Sequence, residues 1–224
     1  MLPKKPVLDI PKVEESAKGR PLTSAEFEEV LAAVPGLVGE QLSQSWIRLL
    51  RGLWLSGLRL SEAMGLTWND TSVGYVRLGG RYPMMFIPGR LQKGGKDTIT
   101  PLTPDFVALL RETPEAERTG FVFDPAPLRG GDRPDYRWVG KIIGEIGKTS
   151  GVAVKRDKHP TAHDLRRSFC FRWAQRVLPQ QLRKLARHAT VQTTLEYYAE
   201  ADAEMTADAV GAAVARFADG GENY

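Results

Sequence analysis

Residues 163–169 read HDLRRSF, and residues 185–199 read LARHATVQTTLEYYA. In the first run, side chains three and four apart share one face of a helix, so His163 stands beside Arg166 or Arg167. An imidazole next to a guanidinium suits a phosphodiester. The planar fork of arginine holds two phosphate oxygens, and histidine moves a proton near neutral pH. Spacing alone does not choose between the two arginines, and a surface helix with incidental charges is the plainer reading of this run by itself. In the second run, His188 is followed by Tyr197 and Tyr198. A deprotonated, aimed phenol is a nucleophile, although a tyrosine without context is usually a half-apolar core residue. Neighbouring helical residues point about 100° apart, so the two tyrosines cannot both face one phosphate.

These runs overlap the most basic part of the chain. From Lys155 to Arg187 there are ten lysines and arginines against only Asp157 and Asp164, whereas from Glu196 to Tyr224 seven acids face Arg216 alone. The net charge of +4 hides this asymmetry. A block of such density is either a solvated surface or a phosphate-binding face. The 224 residues, 42% of them hydrophobic and 26% charged, describe an ordinary globular chain and exclude wholesale disorder. Cys170 is the only cysteine, which excludes an intramolecular disulfide framework and a cysteine zinc cluster. The opening MLPKKPVLDIPKVEESAKGR is too polar and too proline-rich for a signal peptide, and no apolar stretch is long enough to span a bilayer. The expected location is therefore cytoplasmic, in association with the nucleoid if the partner is DNA.

Upstream, the pattern is helical. Thr23 or Ser24 caps a helix to about Val34, Pro35-Gly36 breaks it, and Leu42, Trp46, Leu49, Leu50, Leu53 and Trp54 mark a second helix over 40–56. Gly57 ends that helix, and Ser61 caps a short one over 62–66. The period then changes. Segments 73–78, 84–88 and 98–102 read as strands, with Lys93-Gly94-Gly95-Lys96 as a tight hairpin turn. Helices follow over 104–111, 135–150, 163–176, 179–188, 192–200 and 203–217, with a loop-rich stretch at 113–133. The fold expected is mainly α with a small antiparallel β-sheet, an α+β class.

The string SGLRLSEAMGLTWND at 56–70, the lysine of the Gly-Gly turn, HDLRRSF and LARHATVQTTLEYYA occur in this order. Together they resemble the catalytic domain of the tyrosine recombinase, or phage integrase, family over about residues 20–205. The resemblance places the family's catalytic groups on Arg59, Lys93, His163, Arg166, His188 and Tyr197, with Lys96 as the rival to Lys93. Taken alone, Arg59 has an equally simple reading as one half of a buried ion pair with Glu62. The family's usual Leu-Gly-His is here Ala186-Arg187-His188, which adds a charge beside the site. Cys170, on the His163 helix, is expected to be a small core residue.

What the resemblance implies is a site-specific recombinase. Tyr197 would attack the scissile phosphate to give a 3′-phosphotyrosyl link, Arg59 and Arg166 would hold the non-bridging oxygens, and His188 would add a hydrogen bond. Lys93 would protonate the leaving 5′-oxygen and His163 would assist proton transfer. Neither metal nor ATP nor another cofactor is implied. The partner would be double-stranded DNA, with a homotetrameric synapse on DNA and a monomer without it. A type IB topoisomerase-like relaxer and a non-catalytic DNA-binding module are the alternatives. The organisation expected is an extended arm or interdomain linker over 1–20, the catalytic domain over 21–202, and a C-terminal helix and tail over 203–224. That last segment would pack on a neighbouring protomer or on its own domain. Nothing in the chain corresponds to the family's N-terminal core-binding domain.

Overall fold

The computed structural model describes residues 19–91, 95–199, 201–202, 206 and 210. The arm over 1–18 and most of the C-terminal helix and tail lie outside the described residues. Thr23 opens α1 (Ser24–Ala32) with a reciprocal cap: its hydroxyl accepts from the Glu26 N–H at 3.2 Å, and Glu26 accepts from the Thr23 N–H at 2.9 Å. Pro35-Gly36 does not end the helical path. Proline is tolerated in a first helical turn, where its missing N–H is not needed, and the pair sits inside a further short helix, α2 (Val34–Val38).

The frame is organised by α3 (Glu40–Ser56), whose Trp46, Leu49, Leu50 and Leu53 are fully buried. Gly57 closes it in the left-handed region at φ 60°. A Cβ there would lie 2.2 Å from the ring of Phe169, so both the backbone and the packing demand glycine. Next comes α4 (Leu60–Met64), two residues earlier than the sequence pattern suggests, because Arg59 rather than Ser61 takes the cap position.

The sheet holds β1 (Leu66–Thr67), β2 (Gly74–Arg77), β3 (Met84–Ile87) and β4 (Thr98–Pro101) in that order. The last three are antiparallel as expected, pairing Val76 with Met85 and Ile87 with Thr98. Two-residue β1 pairs parallel to β2, so the sheet is mixed rather than purely antiparallel. A strand of two residues has no period to read. The expected Gly94-Gly95 turn lies partly outside the described residues. Pairing stops at Ile87–Thr98: the next donor that would face β4 is the Gly89 N–H, and Asp97 Oδ1 takes it instead at 2.7 Å. Lys93 lies outside the described residues.

Four further helices complete the frame: α5 (Pro104–Arg111), α6 (Tyr136–Thr149), α7 (Ala162–Ala174) and α8 (Pro179–Ala186), followed by a helical run over 191–199. Packed along α3, α7 has every residue from Leu165 to Phe171 buried. It lies between the main core, which takes Leu165, and a smaller cluster of Phe169, Cys170, Phe171, Ala174, Leu182, Ala186 and Ala201. Polar ties fix its position. Ser168 Oγ accepts from the Leu22 N–H at 2.8 Å, and Arg172 donates to the Trp54 carbonyl at 2.6 Å with its guanidinium over the Trp54 ring.

Helix α6 reaches the segment leading into α7 at Gly147, where a Cβ would stand 2.0 Å from the Pro160 carbonyl oxygen. Backbone cannot yield as a side chain can. Gly147→Ala is expected to lower stability by about 1–3 kcal/mol through this overlap, seen as a fall in the urea midpoint at unchanged m-value. An unchanged midpoint would show that α6 has room to shift.

Candidate active site

Arg59 follows Leu58 out of the Gly57 turn and caps α4. Its N–H donates to Glu62 Oε2 and its Nη1 to Glu62 Oε1, both at 2.8 Å. The guanidinium end stays reachable, since the side chain is 51% exposed while that of Glu62 is only 8% exposed. The ion pair read from the sequence is therefore present but not buried on both sides: Glu62 is enclosed, while Arg59 stays open to solvent.

Arg166 projects from α7 toward the same turn. It is buried, and its two Nη groups donate to the carbonyls of Gly57 and Ala186, so one side chain ties the end of α3 to the end of α8. Burial, and then the charge of Arg187, draw its pKa down to about 10, which leaves it protonated at neutral pH. Arg167 lies a residue further round the helix. With Lys158, His159, His163 and Asp164 it lines a cleft of about 380 Å³. His163 is exposed there, one turn before Arg166 and on the rim rather than in the buried cluster.

The end of α8 brings in a residue whose importance the sequence only hinted at. Arg187 takes the left-handed conformation, φ 56° and ψ 44°, that a helix C-terminus usually gives to glycine. For a side-chain-bearing residue this costs about 1–2 kcal/mol. Its guanidinium folds inward, with Nη2 at 2.8 Å from Glu62 Oε2 and 3.3 Å from the Gly57 carbonyl, and its side chain is 2% exposed. Burial alone would push the Glu62 carboxyl up. The Arg187 charge, the Arg59 N–H and the charges of Arg166 and Arg59 outweigh it and hold the group below the ordinary range.

His188 comes next and is nearly buried. Its Nδ1 lies 3.0 Å from Thr194 Oγ1 and its Nε2 3.8 Å from Cys170 Sγ. The ring of Tyr197 stacks on it at 5.7 Å between centroids, 17° from parallel. Tyr198 turns away and donates its hydroxyl to the Val177 carbonyl, so the two tyrosines do diverge. Cys170 is a core residue, as expected, but one packed beneath the histidine and Tyr197, with burial pushing its thiol up to about 11. Burial and the charges of Arg166, Arg59 and Arg187, opposed by Glu196, press the His188 imidazole down to about 4. A neutral imidazole thus lies within the field of three guanidiniums.

The structure gathers Arg59, Arg166, His188 and Tyr197, with Glu62, Arg187, Thr194 and Cys170 as their supports. Among the described residues, no group of three or more histidine, cysteine or acidic side chains is placed to hold a metal ion, and no helix is long and apolar enough to cross a membrane.

The profile of the phage integrase family matches residues 20–205. The chain belongs to the phage integrase family. Structural likeness agrees with this assignment to a tyrosine recombinase catalytic domain. XerA recombinase superposes with a TM-score of 0.56 at 19% identity over 94% of this chain and 66% of that one. XerH recombinase, solved on palindromic difH substrate in a post-cleavage complex, gives 0.58 at 20% identity over 85% and 52%. A lambda integrase fragment, solved as a dimer on a COC' core site, gives 0.56 at 17% identity over 82% and 60%. This phage integrase family chain thus spans between about half and two thirds of these relatives' lengths. No match was found among functionally curated proteins.

The depressed imidazole has a measurable consequence. Unfolded, His188 takes up a proton near pH 6.5, whereas folded it resists protonation down to about pH 4. The unfolded state therefore binds more protons across this window. The stability tied to the neutral ring is complete above pH 6.5 and is lost as pH falls toward 4. Thermal melts should show this decline in the wild type, and His188→Gln should flatten it. An equal slope in both proteins would mean that the ring titrates normally.

Proposed function

We propose that this domain cuts and rejoins double-stranded DNA at specific sites through a covalent phosphotyrosine on Tyr197. The observation that carries the reading is the convergence of two arginines from distant helices, Arg59 and Arg166, on a neutral histidine stacked against the first of two tyrosines. A binding module has no need of that arrangement. The relatives solved on DNA, among them XerH on difH and the Tn1549 transposon integrase with transposon right end DNA, support the choice of substrate.

In the proposed step, the Tyr197 phenol oxygen forms a bond to phosphorus while the bond from phosphorus to the 5′-oxygen breaks. The phenol proton passes toward His163, and Lys93 or its neighbour Lys96 supplies a proton to the leaving 5′-oxygen. Arg59 and Arg166 bear on the non-bridging oxygens, where negative charge gathers in the transition state. Neutral His188 stands between Thr194 Oγ1 at Nδ1 and Cys170 Sγ at Nε2, and its ring turns an N–H away from one of these partners to donate to the same oxygens. The phosphotyrosyl ester retains the energy of the broken bond, so the reverse attack by a 5′-hydroxyl needs neither ATP nor metal. On DNA the active form is a homotetrameric synapse, working in the cytoplasm at the nucleoid.

Nicked duplexes drawn from a randomised library should form a detergent-resistant adduct with the wild type and with Tyr198→Phe, and none with Tyr197→Phe. Sequencing the captured strands would identify the site. An adduct that survives Tyr197→Phe overturns the assignment of the nucleophile. Arg59→Ala should slow adduct formation about 100- to 1000-fold, the cost of a lost transition-state donor; a rate within threefold of wild type would remove Arg59 from that role.

A further inference from the structure

Behind the two arginines assigned to the phosphate stands a third that cannot reach it. Arg187 is almost wholly enclosed, and its Nη2 is committed to Glu62 and to the Gly57 carbonyl. Glu62 is shared: one oxygen takes the exposed Arg59 guanidinium, the other takes Arg187 and the Arg59 N–H. Gly57 is shared in the same way, since its carbonyl accepts from Arg166 as well as from Arg187. A single buried side chain therefore bridges the support of the exposed Arg59 and that of the buried Arg166.

The charge balance gives this bridge a purpose. A carboxylate held by Arg59 alone would cancel the charge of Arg59 at the place where a phosphate must be bound. With Arg187 sharing Glu62, the group of three arginines and one glutamate keeps a surplus of two positive charges. A five-coordinate phosphorus centre gathers about two negative charges, which such a surplus matches. We propose that Arg187 is a positioning residue for phosphodiester recognition: it occupies half of the Glu62 carboxylate, so that Arg59, pinned by the other half, presents its remaining N–H groups and an uncancelled charge to the substrate. The left-handed turn at 187, which glycine would adopt without strain, is what aims this side chain inward. The inference rests on reading the site as a phosphodiester-cleaving centre.

The test uses the full chain as wild type, Arg187→Gly, Arg187→Lys, Glu62→Gln and the double variant Glu62→Gln/Arg187→Gly. Glycine suits the backbone at 187, the double variant removes the carboxylate that would lose its partner, and circular dichroism checks that each variant is folded. Inorganic phosphate is titrated against the ring signals of His188, and single-turnover cleavage is followed on a captured nicked duplex. Arg187→Gly should weaken phosphate binding about tenfold and slow cleavage about 10- to 100-fold at saturating DNA, with Arg187→Lys between it and wild type. The double variant should regain most of both losses, because the carboxylate that Arg187 offsets is gone. Equal behaviour of Arg187→Gly and wild type overturns the proposal, as does an equal loss in the single and double variants, or a wild type that binds no phosphate. Failure of the underlying reading looks different: the wild type then forms no Tyr197 adduct with any duplex, while the phosphate titration still decides the part played by Arg187.

Discussion

Three guanidiniums crowd around one carboxylate and one peptide carbonyl, and the rest of the site is arranged so that they can stay there. Like charges at such separations repel strongly where water is excluded. Glu62 offsets part of that repulsion, and the Gly57 and Ala186 carbonyls offset more by taking Arg166 and Arg187 as donors. Each acceptor comes from a junction rather than from the middle of an element: the end of α3, the first turn of α4, the end of α8. The short links between helices are therefore what set the spacing of the charges, and α7, wedged between two apolar clusters, delivers Arg166 to them.

This layout explains which parts were legible beforehand. Helix α3 was readable to its last residue, because a long apolar stripe and a terminating glycine both leave clear marks. The pattern of α7 was understated: a stripe of Leu165, Phe169 and Trp173 suggests one buried side, whereas the helix is enclosed on nearly all of them by two separate clusters. Periodicity registers a single face, not burial between two bodies. Short β1 left no signal, because two residues show no alternation.

At the site, the four residues that come together, Arg59, Arg166, His188 and Tyr197, stand in recognisable motifs, but most of what holds them does not. Glu62 was readable as a partner of Arg59, yet nothing in the local string tells that a residue 125 positions away takes its other oxygen. Arg187 stood out as a charge where glycine is usual. Its inward turn depends on φ and on the carboxylate opposite, both properties of the folded chain. Thr194 precedes Tyr197 by about one helical turn, a spacing that places it beside His188 only once the turn after α8 is known.

The second apolar cluster has a mechanical meaning. Tyr197 and Tyr198 pack against that smaller group and not against the main core. Segments anchored on small clusters open at lower free energy than the body of a domain. The Tyr197–Tyr198 segment is therefore held by a smaller apolar contact than the body of the domain, and its release costs less free energy than global unfolding.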